Sequence, residues 1–214
     1  MKKIALALCA GAALASSAAM AAQGDILARF RVINVNPDVK TTGLLASPLS
    51  AGVQDDTIPE LDFTYMITNN IGAELILGTS RHKVTADRTP LGGGVGNIGK
   101  VSALPPTLTL QYHFAPDSAS FRPYIGAGLN YTVFYNDGIK TEVGEAQTDR
   151  SSFGGALQLG ADFPIAKNLF VNVDVKKIWM KTDVTGTTGA IKGAHLGTME
   201  INPWVFGIGV GMKF

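Results

Sequence analysis

Charged side chains that could do chemistry occur in this sequence mainly as pairs spaced two residues apart. Arg29 and Arg31 form one such pair, and Glu60 and Asp62 form another. Residues two apart lie on the same face of a β-strand, so each pair can place its charges in one confined space. Such charges can form a buried network of ion pairs, or they can line the path of a solute. The charged residues on the polar faces of the predicted strands are Arg29, Arg31, Glu60, Asp62, Glu74, Asp162, Asp174, Lys176 and Lys213.

Enzymatic, metal-dependent and cofactor chemistry finds little support in the sequence. The histidines, His82, His113 and His195, lack the spacing of metal ligands, and the single cysteine, Cys9, lies near the N-terminus. We therefore predict a protein that is not an enzyme and uses no metal and no cofactor. One alternative stays open: a lipid-modifying enzyme would use His82 as its base, although the sequence offers no clear acidic partner for it.

The first residues have the pattern of a secretory signal peptide. Two lysines precede an apolar stretch, 4–15, and Ala19 and Ala21 are the small residues that a signal peptidase recognises. We predict that residues 1–21 are removed and that residues 22–214 form one domain. Once the two lysines of the signal peptide are removed, the rest of the chain has a net charge of −1. No nucleic-acid partner is therefore expected.

The apolar residues of the chain are dispersed. They make up 46% of the sequence, yet the predicted mature region has no apolar run of about 18 residues, the length that a transmembrane helix requires. Instead, apolar residues alternate with polar residues or glycine, which is typical of a β-strand with one face in an apolar medium. In the clearest example, large apolar residues stand at Trp204, Phe206, Ile208, Val210, Met212 and Phe214.

Eight segments share this alternation, and long connections alternate with short ones between them. Bacterial outer-membrane barrels have an even number of strands, short periplasmic turns and long extracellular loops. We therefore predict an all-β fold, an eight-stranded antiparallel transmembrane β-barrel in the bacterial outer membrane with both termini periplasmic. The long connections are rich in glycine and threonine and are predicted to be mobile surface loops. They cover about 36–57, 84–100, 136–151 and 184–198.

Outward-facing aromatic residues fall near both ends of the predicted strands, as in the aromatic belts of membrane proteins. Lys177 also falls on the outward face. It either extends to the membrane interface, which we favour, or marks a shift in the strand register. The rings near the outer end are Tyr135, Phe153, Trp179 and Trp204, and those near the periplasmic end are Tyr65, Tyr112, Phe114, Phe163 and Phe214.

The predicted interior is narrow. An eight-stranded barrel has room for its side chains or for one small ligand. The inward charges therefore either plug the barrel with ion pairs or leave a path for a small molecule. Glycines on the inner faces of the fifth, sixth and eighth strands favour a cavity, because they are expected to leave space.

Several short motifs, in order through nearly the whole mature chain, resemble the OmpW family of outer-membrane proteins. These motifs are FTYM at 63–66, NIGAEL at 70–75, PPTL at 105–108, FRPYIGAGLNYT at 121–132, NPWVF at 202–206 and the C-terminal Phe214.

The resemblance implies a barrel with a tapering, largely hydrophobic channel, through which small hydrophobic molecules pass and leave sideways into the bilayer. It also implies a constriction made by apolar residues of strands three and seven. Ile76 matches the strand-three position, whereas Lys176 stands at or next to the strand-seven position. This departure widens the expected cargo towards amphipathic or polar solutes. Glu74 and His113 are further candidates for lining the constriction.

The leading hypothesis is a channel for the passive uptake of small hydrophobic or amphipathic molecules. Its expected partners are the lipid bilayer, the solute and the outer-membrane assembly machinery, which would recognise Phe214. The alternative is a non-transporting structural or receptor barrel that acts through its extracellular loops.

Overall fold

The computed structural model describes residues 21–47, 50–87, 95–141 and 144–214, which form an almost entirely β structure. Within these ranges, no helix has the length and apolarity that a membrane crossing requires. The predicted signal peptide lies outside the described residues, apart from its last residue. The strands are β1 (Ile26–Asn36), β2 (Lys40–Thr41), β3 (Ala51–Val53), β4 (Asp56–Met66), β5 (Ile71–Gly78), β6 (Ser80–Asp87), β7 (Val95–Leu104), β8 (Thr107–His113), β9 (Arg122–Thr141), β10 (Gly144–Thr148), β11 (Ser151–Pro164), β12 (Leu169–Ile178), β13 (Lys181–Gly186), β14 (His195–Glu200) and β15 (Trp204–Lys213).

Eight of these strands close into a barrel. Around the ring they are β1, β4, β5, β8, β9, β11, β12 and β15, and β15 pairs with β1 to complete it. Every neighbouring pair is antiparallel. Closure leaves the ring without an edge strand, whose unpaired N–H and C=O groups would be costly in lipid. The predicted all-β, eight-stranded barrel is therefore confirmed.

The outer wall of the barrel is apolar and the inner face is mostly polar, as the alternation predicts. Leu108 and Ile208 each expose more than half of their surface, whereas Thr107 and Thr109, which flank Leu108 on β8, are buried. A continuous apolar surface of this kind is unfavourable in water and is typical of a wall in contact with lipid.

The two ends of the barrel differ in their connections. We call the end where β1 begins, β15 ends and the short turns lie the terminal end, and the opposite end the hairpin end. Exposed aromatic rings lie near both ends. Trp204 is the first residue of β15 and Phe153 the third of β11, both at the hairpin end, whereas Tyr112 and Phe214 lie at the terminal end. The predicted aromatic rings at both ends of the wall are thus confirmed.

Lys177 lies on the outward face of β12 without a register shift. The register of β12 is unbroken up to Lys177 on the β15 side and through Ile178 on the β11 side, so the alternative of a shifted register is wrong. Its Nζ donates a hydrogen bond to the carbonyl oxygen of Asn202 at 2.7 Å and lies 3.4 Å from Asp38 Oδ2. The ammonium is also 4.9 Å from the centre of the Trp204 ring.

The long connections form additional strands, so their prediction as mobile loops is wrong. β6 pairs with β7, and β10, β13, β14 and β2 extend the sheet from β9. Val84, Val184 and Met199 on these strands are buried. The two-residue alternation continues into the connections, but their many glycines and threonines obscured it. The segments 48–49, 88–94 and 142–143 lie outside the described residues.

Candidate functional site

The inward charges meet in a compact cluster in the terminal half of the lumen, which we call the charged plug. Because its members come from five strands that alternate inward and outward residues, each strand contributes one or two charges to the same small volume. Their side chains are at most 6% exposed. The plug consists of Arg29, Arg31, Glu60, Asp62, Glu74, Asp162, Asp174 and Lys176.

Arg29 connects the first strand to three others, one of which is β5, where its Nη1 lies 3.6 Å from Glu74 Oε1. Its Nε and Nη2 contact the two carboxylate oxygens of Asp162 at 3.2 and 2.9 Å, a bidentate pair. Its Nη1 lies 3.1 Å from Asp62 Oδ1 and donates to Thr64 Oγ1 at 2.7 Å. The guanidinium carbon is 5.4 Å from the centre of the Tyr124 ring, which packs beside it.

Arg31 is the most highly connected cation of the plug. Its guanidinium nitrogens lie 2.6 Å from Asp62 Oδ2, 3.0 Å from Glu60 Oε1, 3.2 Å from Glu74 Oε1 and 3.3 Å from Asp174 Oδ2. Four carboxylates on three other strands thus depend on this one side chain for charge compensation.

Lys176 closes the plug on its hairpin side. Its Nζ lies 2.8 Å from Glu60 Oε1 and 2.8 Å from Asp174 Oδ1. The other oxygen of Asp174 accepts hydrogen bonds from the Tyr124 hydroxyl at 3.2 Å and from Gln158 Nε2 at 2.8 Å. The interpretation of the charges as a salt-bridged plug therefore holds for this half of the lumen.

The glycines on the inner face do not leave a cavity, contrary to expectation. The Tyr124 ring occupies the space over Gly160, and the Phe170 ring occupies the space over Gly211. The backbone of Phe30 and Arg31, together with the stem of Arg31, fills the corresponding space over Gly209. These glycines admit large side chains from neighbouring strands, so the plug is packed rather than open.

Two of the predicted lumen residues lie apart from the plug. His113 is buried on its terminal side, where its Nε2 is 3.1 Å from Gln111 Oε1 and its ring centre is 5.2 Å from that of Tyr124. Lys213 was expected to share the lumen with the other charges, but its Nζ lies 3.0 Å from Asp25 Oδ2 at the terminal end. It stands two residues beyond Gly211 on β15, past the level of Arg29.

An apolar cavity occupies the hairpin half of the lumen above the plug. It contains about 920 Å³ of space not filled by atoms, including the part open to solvent. Both the barrel strands and the added hairpin strands line it, and its floor is made by Thr107, Glu60 and Lys176. Representative apolar lining residues are Ile33, Val84, Val101, Phe134, Ile178 and Met199.

Ile76 and Lys176 face each other across this cavity. They lie on β5 and β12, which are four strands apart in the ring of eight and therefore on opposite sides. Both residues are buried. Of the four constriction candidates, these two line the cavity, whereas Glu74 belongs to the plug and His113 lies beyond it.

His82 lines the cavity but lacks the acidic partner of a catalytic triad. Its Nδ1 is 2.8 Å from the carbonyl oxygen of Gln54, and its Nε2 is 3.0 Å from Ser80 Oγ. Residues two apart on one strand face are natural neighbours, so this contact follows from local geometry. In the part of the chain that the structure describes, no group of His, Cys, Asp and Glu residues is arranged to hold a metal ion.

The wall of the cavity has a break in its hydrogen-bond ladder, which we call the window. The register of β5 with β8 ends at Ile76 and Thr107, and the register of β6 with β7 resumes at Ser80 and Ala103. The window is thus bounded by segments 77–79 and 104–106. Pro105 and Pro106 have no N–H to donate across it. Gly78, Ser80, Ala103 and Pro105 line the cavity from within.

A side-chain contact spans the outside of the window. The hydroxyl groups of Thr79 and Tyr135 share a hydrogen bond. The register of β11 with β12 also ends, at Ala156, but there Trp179 N donates to Gly155 O at 2.9 Å. The window thus has a side-chain bridge where the other break has a backbone bridge.

Sequence reasoning missed the neutral residues that complete the plug. Asn172 Nδ2 donates to Asp162 Oδ1 at 2.7 Å and to the Tyr124 hydroxyl at 3.0 Å. Gln158 and Tyr124 both bind Asp174. The signal available was their inward position in the alternation, next to charges on neighbouring strands.

Comparisons with known proteins agree with the barrel fold. The family model described as the OmpW family matches residues 22–214. Outer membrane protein W of Escherichia coli (strain K12) is 36% identical over the full length of both chains. The dibenzothiophene metabolism operon protein PahQ of Pseudomonas aeruginosa is 31% identical, covering 77% of this chain and 75% of that protein.

A solved structure provides the corresponding comparison of folds. The crystal structure of the outer membrane protein OprG from Pseudomonas aeruginosa superposes with a TM-score of 0.74, at 28% sequence identity, covering 92% of this chain and 98% of that one. The full-length family match, the closed eight-stranded wall and the apolar outer face lead to one conclusion. This chain belongs to the OmpW family of outer-membrane β-barrel proteins.

Proposed function

We propose that this protein is a channel for the passive uptake of small hydrophobic or amphipathic molecules, which enter the apolar cavity and leave sideways through the window. The observation that carries the proposal is the coincidence of an apolar cavity with a break in the barrel wall at the same height. The proposal includes no chemical reaction: the solute moves down its own gradient and partitions into lipid.

The charged plug supports a sideways route. A solute that continued along the barrel axis would have to separate ion pairs such as Arg31–Asp62 and Arg29–Asp162, which are completely or almost completely buried. Breaking a buried ion pair costs several kcal/mol. Movement through the window does not require pairing between segments 77–79 and 104–106 to be broken, because it is already interrupted there, and only the paired edges of the window have to separate.

We also propose that the hairpin end faces the outside of the cell and that both termini are periplasmic. An even strand number places the termini on one side, and bacterial barrels keep their short turns in the periplasm. The exposed Phe214 at the terminal end is then available to the outer-membrane assembly machinery.

The floor of the cavity favours solutes with an apolar body and one small polar group. Lys176 and Glu60 are the charged groups of the floor, and the surrounding walls are apolar. The name of PahQ associates that relative with dibenzothiophene, a flat apolar molecule. An apolar molecule fits the walls, and a hydroxyl or similar group on it could hydrogen-bond at the floor.

Ile76→Trp tests the path. Liposomes that contain the refolded protein should take up a hydrophobic probe faster than empty liposomes, and a small polar probe no faster. We expect Ile76→Trp to slow hydrophobic uptake at least about fivefold, because the larger ring would fill part of the cavity and a passing solute would have to displace it, at a cost of about 1–3 kcal/mol. Ile208→Trp is the matched control, because it makes the same change at an outward-facing residue of β15 whose register with β1 and β12 is continuous.

Three outcomes separate the alternatives. Slower uptake with Ile76→Trp but not with Ile208→Trp supports the cavity as the path. Faster uptake of the polar probe would show that Lys176 has changed the cargo class. Uptake no faster than in empty liposomes for either probe would refute transport of these solutes and favour a barrel that acts through its hairpins.

The polar floor makes a separate prediction about selectivity. The double variant Glu60→Leu with Lys176→Met removes one negative and one positive charge, so it leaves the net charge of the plug unchanged. We expect it to reduce the preference for an alkanol over the alkane of equal length about tenfold, since a hydrogen bond to a charged group contributes about 1.5–3 kcal/mol. Competitive uptake of the two probes measures the ratio, and an unchanged ratio would rule out a role for the floor.

A further inference from the structure

The outward face of the hairpin formed by β6 and β7 carries three cations, which we call the basic patch. Arg81 and Lys83 lie two residues apart on β6, Lys100 lies on β7, and all three are exposed. Lys83 and Lys100 are direct register partners. Like charges placed directly opposite each other destabilise a sheet, so this arrangement needs a compensating anion.

That anion is not supplied by the described part of the chain. Among the described residues, no ion pair joins the side chain of Arg81, Lys83 or Lys100 to a carboxylate. Asp56 is close, but its Oδ2 accepts a hydrogen bond from the backbone nitrogen of Arg81 at 2.9 Å. Lys140, on the neighbouring strand β9, differs from the three cations of the patch because it has an acidic partner: its Nζ lies 3.8 Å from Glu145 Oε1.

The basic patch begins where the apolar wall ends. Going towards the hairpin end, the outward residues of this part of the wall are Leu75 and Leu77, then Thr79, then Arg81 and Lys83. Each step of two residues advances about 7 Å along a strand. The cations therefore stand just beyond the hydrocarbon boundary, at the level where lipid headgroups carry their phosphates.

We propose that the basic patch binds the phosphate group of a lipid headgroup in the leaflet at the hairpin end. A phosphate held between Lys83 and Lys100 would replace their mutual repulsion with two attractions, and the guanidinium of Arg81 can add a bidentate contact. With the hairpin end facing outward, this lipid is the phosphorylated glycolipid of the outer leaflet. The site would anchor the strands beside the window to the surrounding lipid.

Titration with diphosphoryl lipid A tests this proposal. The refolded mature protein in zwitterionic detergent should bind diphosphoryl lipid A more tightly than lipid A whose phosphates have been removed. We expect Lys83→Gln with Lys100→Gln to weaken binding of the phosphorylated form about 25-fold, because each cation near an anionic lipid contributes a factor of about five. Binding of the dephosphorylated form should not change.

A matched double variant separates a specific site from general charge. Lys140 and Lys181 also lie on hairpin strands, but each stands opposite a glutamate in register, Glu145 or Glu200. Lys140→Gln with Lys181→Gln removes the same charge and should alter binding less than twofold. Equal weakening by both double variants, or equal binding of lipid A with and without phosphates, would overturn the proposal.

The like-charge pair adds a second readout. Without lipid A, Lys83→Gln with Lys100→Gln should be no less resistant to urea than the unmodified protein, since it removes a repulsion. Lipid A should then raise the urea midpoint of the unmodified protein and leave that of the variant nearly unchanged. A similar increase in both proteins would contradict a site at this pair.

Discussion

Replacing Arg31 with methionine is expected to destabilise the barrel by at least about 3–5 kcal/mol, the usual cost of removing one partner of a buried ion pair. Methionine preserves much of the apolar stem but removes the guanidinium. That group lies within ion-pair distance of four carboxylates, those of Glu60, Asp62, Glu74 and Asp174. Lys176 and Arg29 compensate some of their charge, but neither reaches all four.

Urea titration of the protein folded in lipid vesicles would measure this destabilisation. Arg31→Lys restores the charge without the planar fork and should recover only part of the stability. Lys177→Met is the control for removal of a barrel cation, because Lys177 faces outward at the end of its strand, and it should cost about 1 kcal/mol or less. If Arg31→Met were as stable as Lys177→Met, the plug would not be an important source of stability.

The barrel could be predicted from the sequence because one physical signal repeats on every strand. Outward residues such as Leu108 and Ile208 contact lipid, so the two-residue period is strict and both the faces and the strand number follow from it. The same signal identified Arg29, Arg31 and Glu74 as lumen residues. The added hairpin strands were missed because Val84 stands between a lysine and a threonine and Val184 between an aspartate and a threonine. Their pattern is visible only once the neighbouring strands are in place.

The division of the lumen into plug and cavity could not be predicted in the same way. It depends on how side chains from strands distant in sequence fill space: Tyr124 covers Gly160, and Phe170 covers Gly211. Glycine on an inner face is compatible with an empty lumen or with a large neighbour, and periodicity does not distinguish the two. The sequence does contain a signal for the window, because two consecutive prolines cannot donate the hydrogen bonds of a ladder on both sides of the strand.

A disulfide across the edge of the window nearest the hairpin end is expected to abolish the uptake of hydrophobic probes, and reduction of the disulfide should restore it. Ser80 and Ala103 are direct register partners at the point where pairing resumes, and opposite residues in antiparallel strands lie about 4.5–5.5 Å apart at Cα, within reach of a disulfide. The only cysteine in the sequence, Cys9, lies in the predicted signal peptide, so Ser80→Cys with Ala103→Cys adds the only thiols of the mature chain. If solutes leave by separation of the two strands here, oxidation should bring uptake of the hydrophobic probe down to the rate of empty liposomes, and reduction should restore it.

A second disulfide distinguishes closure of the window from obstruction of the cavity. Val35 and Val205 are register partners on β1 and β15, where the ladder continues on both sides, and both line the cavity. Val35→Cys with Val205→Cys places a disulfide of the same size in the same space without crossing the window. Inhibition by the first disulfide alone would identify strand separation at the window as the step that limits uptake. Equal inhibition by both disulfides would mean that the added sulfur atoms simply block the cavity. If neither disulfide inhibited uptake, the solute would have to leave by a route that does not widen the window, because the first disulfide holds the two strands at a fixed distance.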